Sequence, residues 1–244
     1  MRDFLGGALK HYLLNLVEEQ QKAGAHIYAS LFELNDPEVL PAILAFGQRG
    51  HIVLSDGTHT VPKKAKVNKA AAKVKAAPAD ENADARKKLR NAHLEVHDRM
   101  VTGNHFSHHK FIVFTDPKST TKATMVWTGS TNLTYGGVCT QANNGILVKD
   151  VTIADRFLKQ WKELVTVRDA YPATLAAFDA EGLTSNVGKA KVAAWFAPNP
   201  PVGKKPKTGY ADHADLKAAR ALINNAKEGI LFLVFNPGPV GHAP

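Results

Sequence analysis

The chain has 244 residues, 44% of them hydrophobic and 22% charged, and its 31 Lys and Arg against 22 Asp and Glu leave a net charge of +9. That length can bury a sizeable core in one to two domains, and the composition is that of a globular chain rather than a collagenous, coiled-coil or low-complexity one. A single cysteine, Cys139, excludes an intramolecular disulfide and a multi-cysteine zinc site, while the basic balance favours polyanions: nucleic acid, phosphorylated headgroups or an anionic membrane surface touched peripherally.

Between Asp3 and Ala23 the apolar residues Phe4, Leu5, Leu9, Leu13, Leu14, Leu16 and Val17 recur at helical spacing, with Gly24 where a glycine cap belongs. The spacing predicts a helix with one buried face. The β-rich run Ala25 to Leu34 follows, then a helix with Asp36 as N-cap, Pro37 in its first turn and Gly47 at its end, then a short strand, His51 to Ser55. Strand, helix, strand in that order predicts a βαβ unit within an α/β sheet. No run reaches the roughly 18 apolar residues of a membrane span. The N-terminus has no uninterrupted apolar segment of the signal-peptide kind either, so a soluble protein is expected, with the cytoplasm favoured.

From 61 to 90 the composition turns to Lys and Ala. This reads as an insertion or long loop, either a basic arm for phosphate backbones or a solvated face, whose second part, Asp80 to Ala92, can be helical. HLEVH, HHKFIVFT, TMVWTGS and NGILVKD then read as adjacent strands, and helices over Thr152 to Val167 and Ala173 to Ala180 as their cover. Trp127, Trp161 and Trp195 are read as core aromatics. An amphipathic helix, Asp212 to Glu228, leads into a strand from Ile230 to Phe235, in the same order of helix, glycine and strand as Leu16 to Phe32. The chemistry is concentrated in two segments. His108 and Lys110 are two residues apart at the head of an apolar strand, so both are expected on one face. Gly129, Ser130 and Asn132 end a later strand. An imidazole to attack phosphorus, a cation for the equatorial oxygens and small donors beside them are what phosphoryl transfer needs.

His108-His109-Lys110 followed by Gly129-Ser130-Thr131-Asn132 resembles the phospholipase D superfamily, whose pattern is His-x-Lys, an aspartate, then Gly-Ser-x-Asn. The resemblance implies an αβα sandwich with a mixed sheet, the phospholipase D-like fold, and a metal-independent phosphodiesterase without cofactor. In that reading His108 is the nucleophile that forms a phosphohistidine, and Lys110, Ser130 and Asn132 contact phosphate oxygens. The family aspartate falls on Thr115, with Asp116 one place later, so either the strand shifts by a residue or other groups have taken the aspartate's role. The acidic residue often found after the asparagine loop is replaced by Asn143 and Asn144.

Residues 1–189 read as one repeat carrying the motif, and 190–244 as the opening of a second, incomplete one. The mechanism implied needs two histidines, and the repeat offset carries the second motif past Pro244. A homodimer or a further C-terminal half is therefore expected to supply the second histidine, with continuation of the chain favoured. The substrate expected is a phosphodiester, phospholipid first, which would place the chain in lipid degradation. The alternatives are a nuclease of the same superfamily and a non-catalytic module that binds phosphate or nucleic acid. A metal cluster of His105, His108 and His109 is disfavoured because His108 and His109 point to opposite sides of a strand. A Ser-His-Asp hydrolase is disfavoured because no Gly-x-Ser-x-Gly elbow occurs. His97, Asp98 and Arg99 are read as surface polar sequence, and His11, His26, His51, His59, His93, His213 and His242 show no partner pattern.

Overall fold

The computed structural model of the protein describes residues 1–57, 80–101, 106–199 and 213–231. The part of the Lys/Ala-rich insertion over 58–79, together with His105, therefore lies outside the described residues. Its second part is helical, as expected. Contacts divide the chain into two compact units, Met1–Ala170 with Ser185–Val192, and Tyr171–Thr184 with Ala193–Pro244.

The first unit is an αβα sandwich around a six-stranded mixed sheet. Its strands are β1 (Ile27–Leu31), β2 (Gly50–Ser55), β3 (Glu95–Arg99), β4 (Lys110–Thr115), β5 (Ala123–Gly129) and β6 (Gly145–Val148), in the spatial order β3-β2-β1-β4-β5-β6. The predicted βαβ unit is present, since β1 and β2 run parallel with α2 (Val39–Leu44) between them in sequence. One expectation is corrected. The four segments read as consecutive neighbours are not all adjacent, because β3 pairs with β2 in parallel at the edge of the sheet and β4 pairs antiparallel with β1. The first strand thus lies in the middle, where its wholly buried run IYASL belongs.

Helix α1 (Arg2–Ala23) lays Leu13, Leu16 and Val17 on one sheet face beside α2 and α3 (Ala83–Asn91), in one core with Leu31, Ile52, Ile112 and Trp127. Each fully buried Leu or Ile there contributes about 1.5–3 kcal/mol. The helix kinks at Gly7, where φ is 47°, and ahead of the kink Phe4 and Leu5 are exposed rather than packed. The left-handed Gly24 that ends the helix, at φ 87°, is the cap expected. Asp36 opens the next turn: its Oδ1 accepts from the backbone N–H groups of Glu38 and Val39, and the helix proper begins three residues after it. On the opposite sheet face lies α5 (Val151–Val167), capped by Asp150, with Phe157 edge-on to Phe111 and the Trp161 indole N–H donating to the Ala29 carbonyl. The short α4 (Tyr135–Cys139) joins β5 to β6.

In the second unit α6 (Ala173–Ala180) buries Leu175 and Ala176, and the Phe196 backbone N–H donates to the Asp179 carbonyl. Two further strands, β7 (Leu183–Val187) and β8 (Ala190–Ala194), form a two-stranded sheet of which Ser185–Val192 counts with the first unit. Helix α7 (Ala214–Asn225) was expected to bury an apolar face and buries none of its residues: Leu222 is 77% exposed. Of the strand expected at Ile230 to Phe235, Ile230 and Leu231 are not in a strand, and the remainder lies outside the described residues. No helix among the described residues is long and apolar enough to cross a membrane.

Candidate active site

Strand β4 begins at Lys110, so His108 stands two residues ahead of the strand rather than within it. The Lys110 ammonium is buried, donates to the His108 carbonyl at 3.1 Å and lies 5.0 Å from the centre of the Phe32 ring. His108 sits edge-on to the same ring at 4.5 Å, and Phe106, 52% exposed, meets Phe32 from another side. Phe32 at the end of β1 therefore touches both members of the pair. Although His108 reaches solvent, desolvation by these neighbours, with the Lys110 charge, pulls its pKa below the ordinary histidine value, and Glu33 opposes that. Burial lowers Lys110 to about 8, again against Glu33. At pH 7 the imidazole is neutral and the ammonium largely protonated. Among the described residues no side chain hydrogen-bonds the His108 ring nitrogens.

His109 is a different group. Desolvation of its ring, together with the charges of Arg99 and Lys110, pushes its pKa down to about 3, and the Ser107 hydroxyl lies 3.4 Å from its Nδ1.

The Gly-Ser-Thr-Asn segment leaves β5 beside this strand, since Phe111 pairs with Thr128 and the Thr128 hydroxyl donates to the Lys110 carbonyl. Asn143 and Asn144 hold the segment. The Ser130 hydroxyl donates to Asn143 Oδ1 at 3.1 Å and accepts from the Asn144 N–H at 2.9 Å, while the Thr131 hydroxyl donates to the Asn144 carbonyl. The Ser130 proton is thus committed inside the loop. Asn132 Oδ1 is buried with no hydrogen-bond partner among the described residues. The glycine here is demanded by close approach, because a Cβ on Gly129 would collide with the Asn144 carbonyl oxygen.

The alternatives left for the family aspartate can be compared with what is present. The β4–β5 register shifts between Phe114 and Thr115. Thr115 is fully buried, its hydroxyl accepting from the His26 N–H and donating to the Asp116 carbonyl. Asp116 is spent on its own turn, accepting from the Lys118 N–H and pairing with Lys122, and these partners hold its carboxyl below the ordinary aspartate range.

Three features escaped the sequence reading. The end of β1, Phe32 and Glu33, adjoins the site, and the available signal was that Glu33 is the one acidic residue in the apolar run AHIYASLFEL. The second is a row of histidines, His26 and His51 read as showing no partner pattern and His97 read as surface polar sequence. His26 Nδ1 and His51 Nε2 are 3.1 Å apart, His51 Nδ1 meets Glu95 at 2.5 Å, and His97 Nε2 meets the other Glu95 oxygen at 2.6 Å. His26 precedes β1, His51 lies on β2, and Glu95 and His97 lie on β3, so no local spacing marks them. The third is Arg99, read as surface sequence and 1% exposed. No group of three or more His, Cys, Asp or Glu able to hold a metal ion occurs among the described residues.

The chain belongs to the phospholipase D-like family: residues 16–165 match the family model described as cardiolipin synthase, PLD-like domain. Among solved structures it is similar to Nuc, a phospholipase D family member from Salmonella typhimurium, at 18% identity and TM-score 0.44, covering 63% of this chain and 84% of that one. It is also similar to NucT from Helicobacter pylori, at 10% identity and TM-score 0.43, covering 64% and 89%, and to polyphosphate kinase from Porphyromonas gingivalis, at 12% and 0.44, covering 67% and 25%. No curated protein matches.

Proposed function

We propose that the protein is a metal-independent phosphodiesterase that acts on phospholipid headgroups through a phosphohistidine. The observation that carries this is the His108–Lys110 pair: a neutral imidazole with open ring nitrogens beside a buried ammonium. A ring nitrogen of His108 forms the bond to phosphorus as the bond to the leaving alcohol oxygen breaks. Lys110 and the Asn132 amide offset charge on the phosphoryl oxygens, and Ser130 holds the loop that carries Asn132. The leaving alkoxide takes its proton from a second imidazole. His109, with a pKa of about 3, is not protonated at neutral pH and cannot give one. The donor in this reading is a second His-x-Lys motif, in a second copy of the chain or in further sequence. Water then attacks the phosphohistidine, gives up a proton to that second imidazole and restores His108. Phospholipid is favoured by the description of the matching family model and by the exposed apolar Phe106 next to the pair.

Turnover is measured in EDTA on phosphatidylcholine vesicles and on single-stranded and duplex DNA, with His108→Asn as control. Headgroup release lost in His108→Asn supports the reading. Cleavage of DNA alone moves the substrate to nucleic acid. Binding without turnover, unchanged in His108→Asn, makes the chain a phosphate-binding module.

A further inference from the structure

The loop from β5 to α4 carries Asn132, and one side chain from outside the loop holds it at two points. Asn143, two residues ahead of β6, accepts at Oδ1 from the Ser130 hydroxyl at 3.1 Å and donates from Nδ2 to the Gly137 carbonyl at 2.8 Å. A further Nδ2 contact, 3.2 Å from Gln141 Oε1, steadies the amide. The first point precedes Asn132 by two residues and the second follows it by five. The second point also presses on Asn132 itself, because a Cβ on Gly137 would lie 2.2 Å from the Asn132 carbonyl oxygen. On the other side Leu34 bridges to Leu133, whose carbonyl accepts from the Asn35 and Asp36 N–H groups at 2.9 Å each. The backbone of Asn132 is thus fixed from both directions, while its own Oδ1 has no partner among the described residues. The aim of the Asn132 amide is therefore inherited from the backbone that carries it.

We propose that Asn143 is a positioning residue of this site, an amide bracket that ties Ser130 to Gly137 and so sets where the Asn132 amide stands. The inference rests on the phosphodiesterase reading for its role in turnover. The bracket has to accept at one end and donate at the other. The Gly137 carbonyl can only accept, which turns Nδ2 toward it and leaves Oδ1 for the Ser130 proton. That proton is available because the Ser130 oxygen already accepts from the Asn144 N–H. A carboxylate in this place could take the Ser130 proton but would set a charged oxygen against the Gly137 carbonyl, so the chemistry of the two partners calls for an amide. A donor that offsets charge on a phosphoryl oxygen acts only if it is held where that charge develops, and a loop pinned at both ends does this without reorganising.

The test is a double-mutant cycle on turnover of phosphatidylcholine vesicles by the full chain, with Asn143→Ala made both in the unsubstituted protein and in Asn132→Ala. In the unsubstituted protein Asn143→Ala should lower kcat/KM about tenfold to a hundredfold, the scale on which a slightly misplaced group costs rate. In the Asn132→Ala background it should cost less than about twofold, because the group it positions is gone. Equal losses in the two backgrounds are what a merely structural role would give, and they overturn the proposal. Asn143→Asp keeps the acceptor for Ser130 and removes the donor to Gly137, so it should lose at least as much as Asn143→Ala; full activity with aspartate is equally fatal. It also takes the place of Asn143→Ala in the cycle should that variant fail to fold. The geometric half needs no turnover. In 15N spectra of the full chain, Asn143→Ala should displace the side-chain amide resonances of Asn132 and leave those of Asn82 in place, and unmoved Asn132 resonances sink the bracket. A chain that turns nothing over refutes the phosphodiesterase reading, and the amide spectra then decide the positioning of Asn132 by themselves.

Discussion

Two imidazole groupings share the first strands of the sheet, and they differ in whether the ring nitrogens are spent. Just ahead of β1 and along β2 and β3, both His51 ring nitrogens are taken, by His26 and by Glu95, and one nitrogen each of His26 and His97 is spent within the same row, with Tyr28 stacked on His51 at 4.3 Å and Trp161 edge-on to Tyr28, His51 and His97. At the other end of β1, His108 touches an aromatic edge and an ammonium faces its carbonyl, while no side chain among the described residues takes its nitrogens. A saturated imidazole holds strands together, whereas one with open nitrogens and a neighbouring cation is equipped to react. If His108 is the reacting group and the histidine row a structural one, substitutions at the two places should separate cleanly.

The largest effect falls on His108. His108→Asn keeps a polar side chain of similar reach and removes the nucleophile, so kcat should drop at least about a thousandfold with the circular dichroism spectrum unchanged. Loss of the fold instead would put His108 in the same class as the histidine row. Lys110→Ala comes next. Losing the fixed charge should cost about a hundredfold to a thousandfold in kcat, and a loss confined to KM would show that the ammonium binds substrate without favouring the transition state.

Asn82 carries the third effect, on stability. Asn82→Ala leaves the Phe32 carbonyl and the Leu34 N–H without this partner, while the Ser55 carbonyl keeps the Arg86 guanidinium. At about 1–3 kcal/mol per buried unsatisfied group, urea unfolding should show a loss of about 2 kcal/mol or more. A loss below about 1 kcal/mol would show that the end of β1 is held by the Leu34–Leu133 bridge alone.

Sequence carried the elements and hid their neighbours. The helix closed by Gly24, the strand His51 to Ser55 and the helix Ala173 to Ala180 were legible because apolar period and cap chemistry are local. His108, Lys110, Ser130 and Asn132 were picked out by their resemblance to a family pattern. The place of Phe32 against His108 and Lys110 was not, because it depends on β4 pairing with β1 across more than seventy residues of chain, and nothing in the spacing of either segment encodes that partner. The histidine row was invisible for the same reason, being assembled from β1, β2 and β3. The exposed face of α7 shows the converse: helical period predicts where an apolar stripe lies but not that anything covers it.

A fourth effect is the pH profile of kcat/KM, which separates the open imidazole from the saturated row by position on the pH axis. Turnover requires neutral His108, whose pKa lies below the ordinary histidine value, so activity should rise as pH climbs through that acidic limb. It also requires both Lys110 and the second imidazole to be protonated, so activity should fall as pH passes the lower of their two values, no later than about 8. The result is a bell with its maximum between the two. An alkaline limb near the ordinary lysine value would show that Lys110 is less desolvated than its burial implies.

The smallest effect sharpens the other half of the comparison. Burial opposes ionisation of Glu95, but hydrogen bonds from His51 and His97 outweigh it and hold the carboxyl below the ordinary glutamate value. A carboxyl whose folded pKa lies below its unfolded one contributes stability that is present above the unfolded value and disappears as pH falls through the folded one. Glu95→Gln should therefore flatten the acid side of the stability curve and change little at alkaline pH. The change should be small, because Glu95 is 48% exposed and solvent screens its pairs. Turnover should be untouched, since nothing described connects this row to His108 except the length of β1. A Glu95→Gln chain that unfolds normally in acid but loses turnover would break the division between saturated and open imidazoles, and would make the row a part of the site.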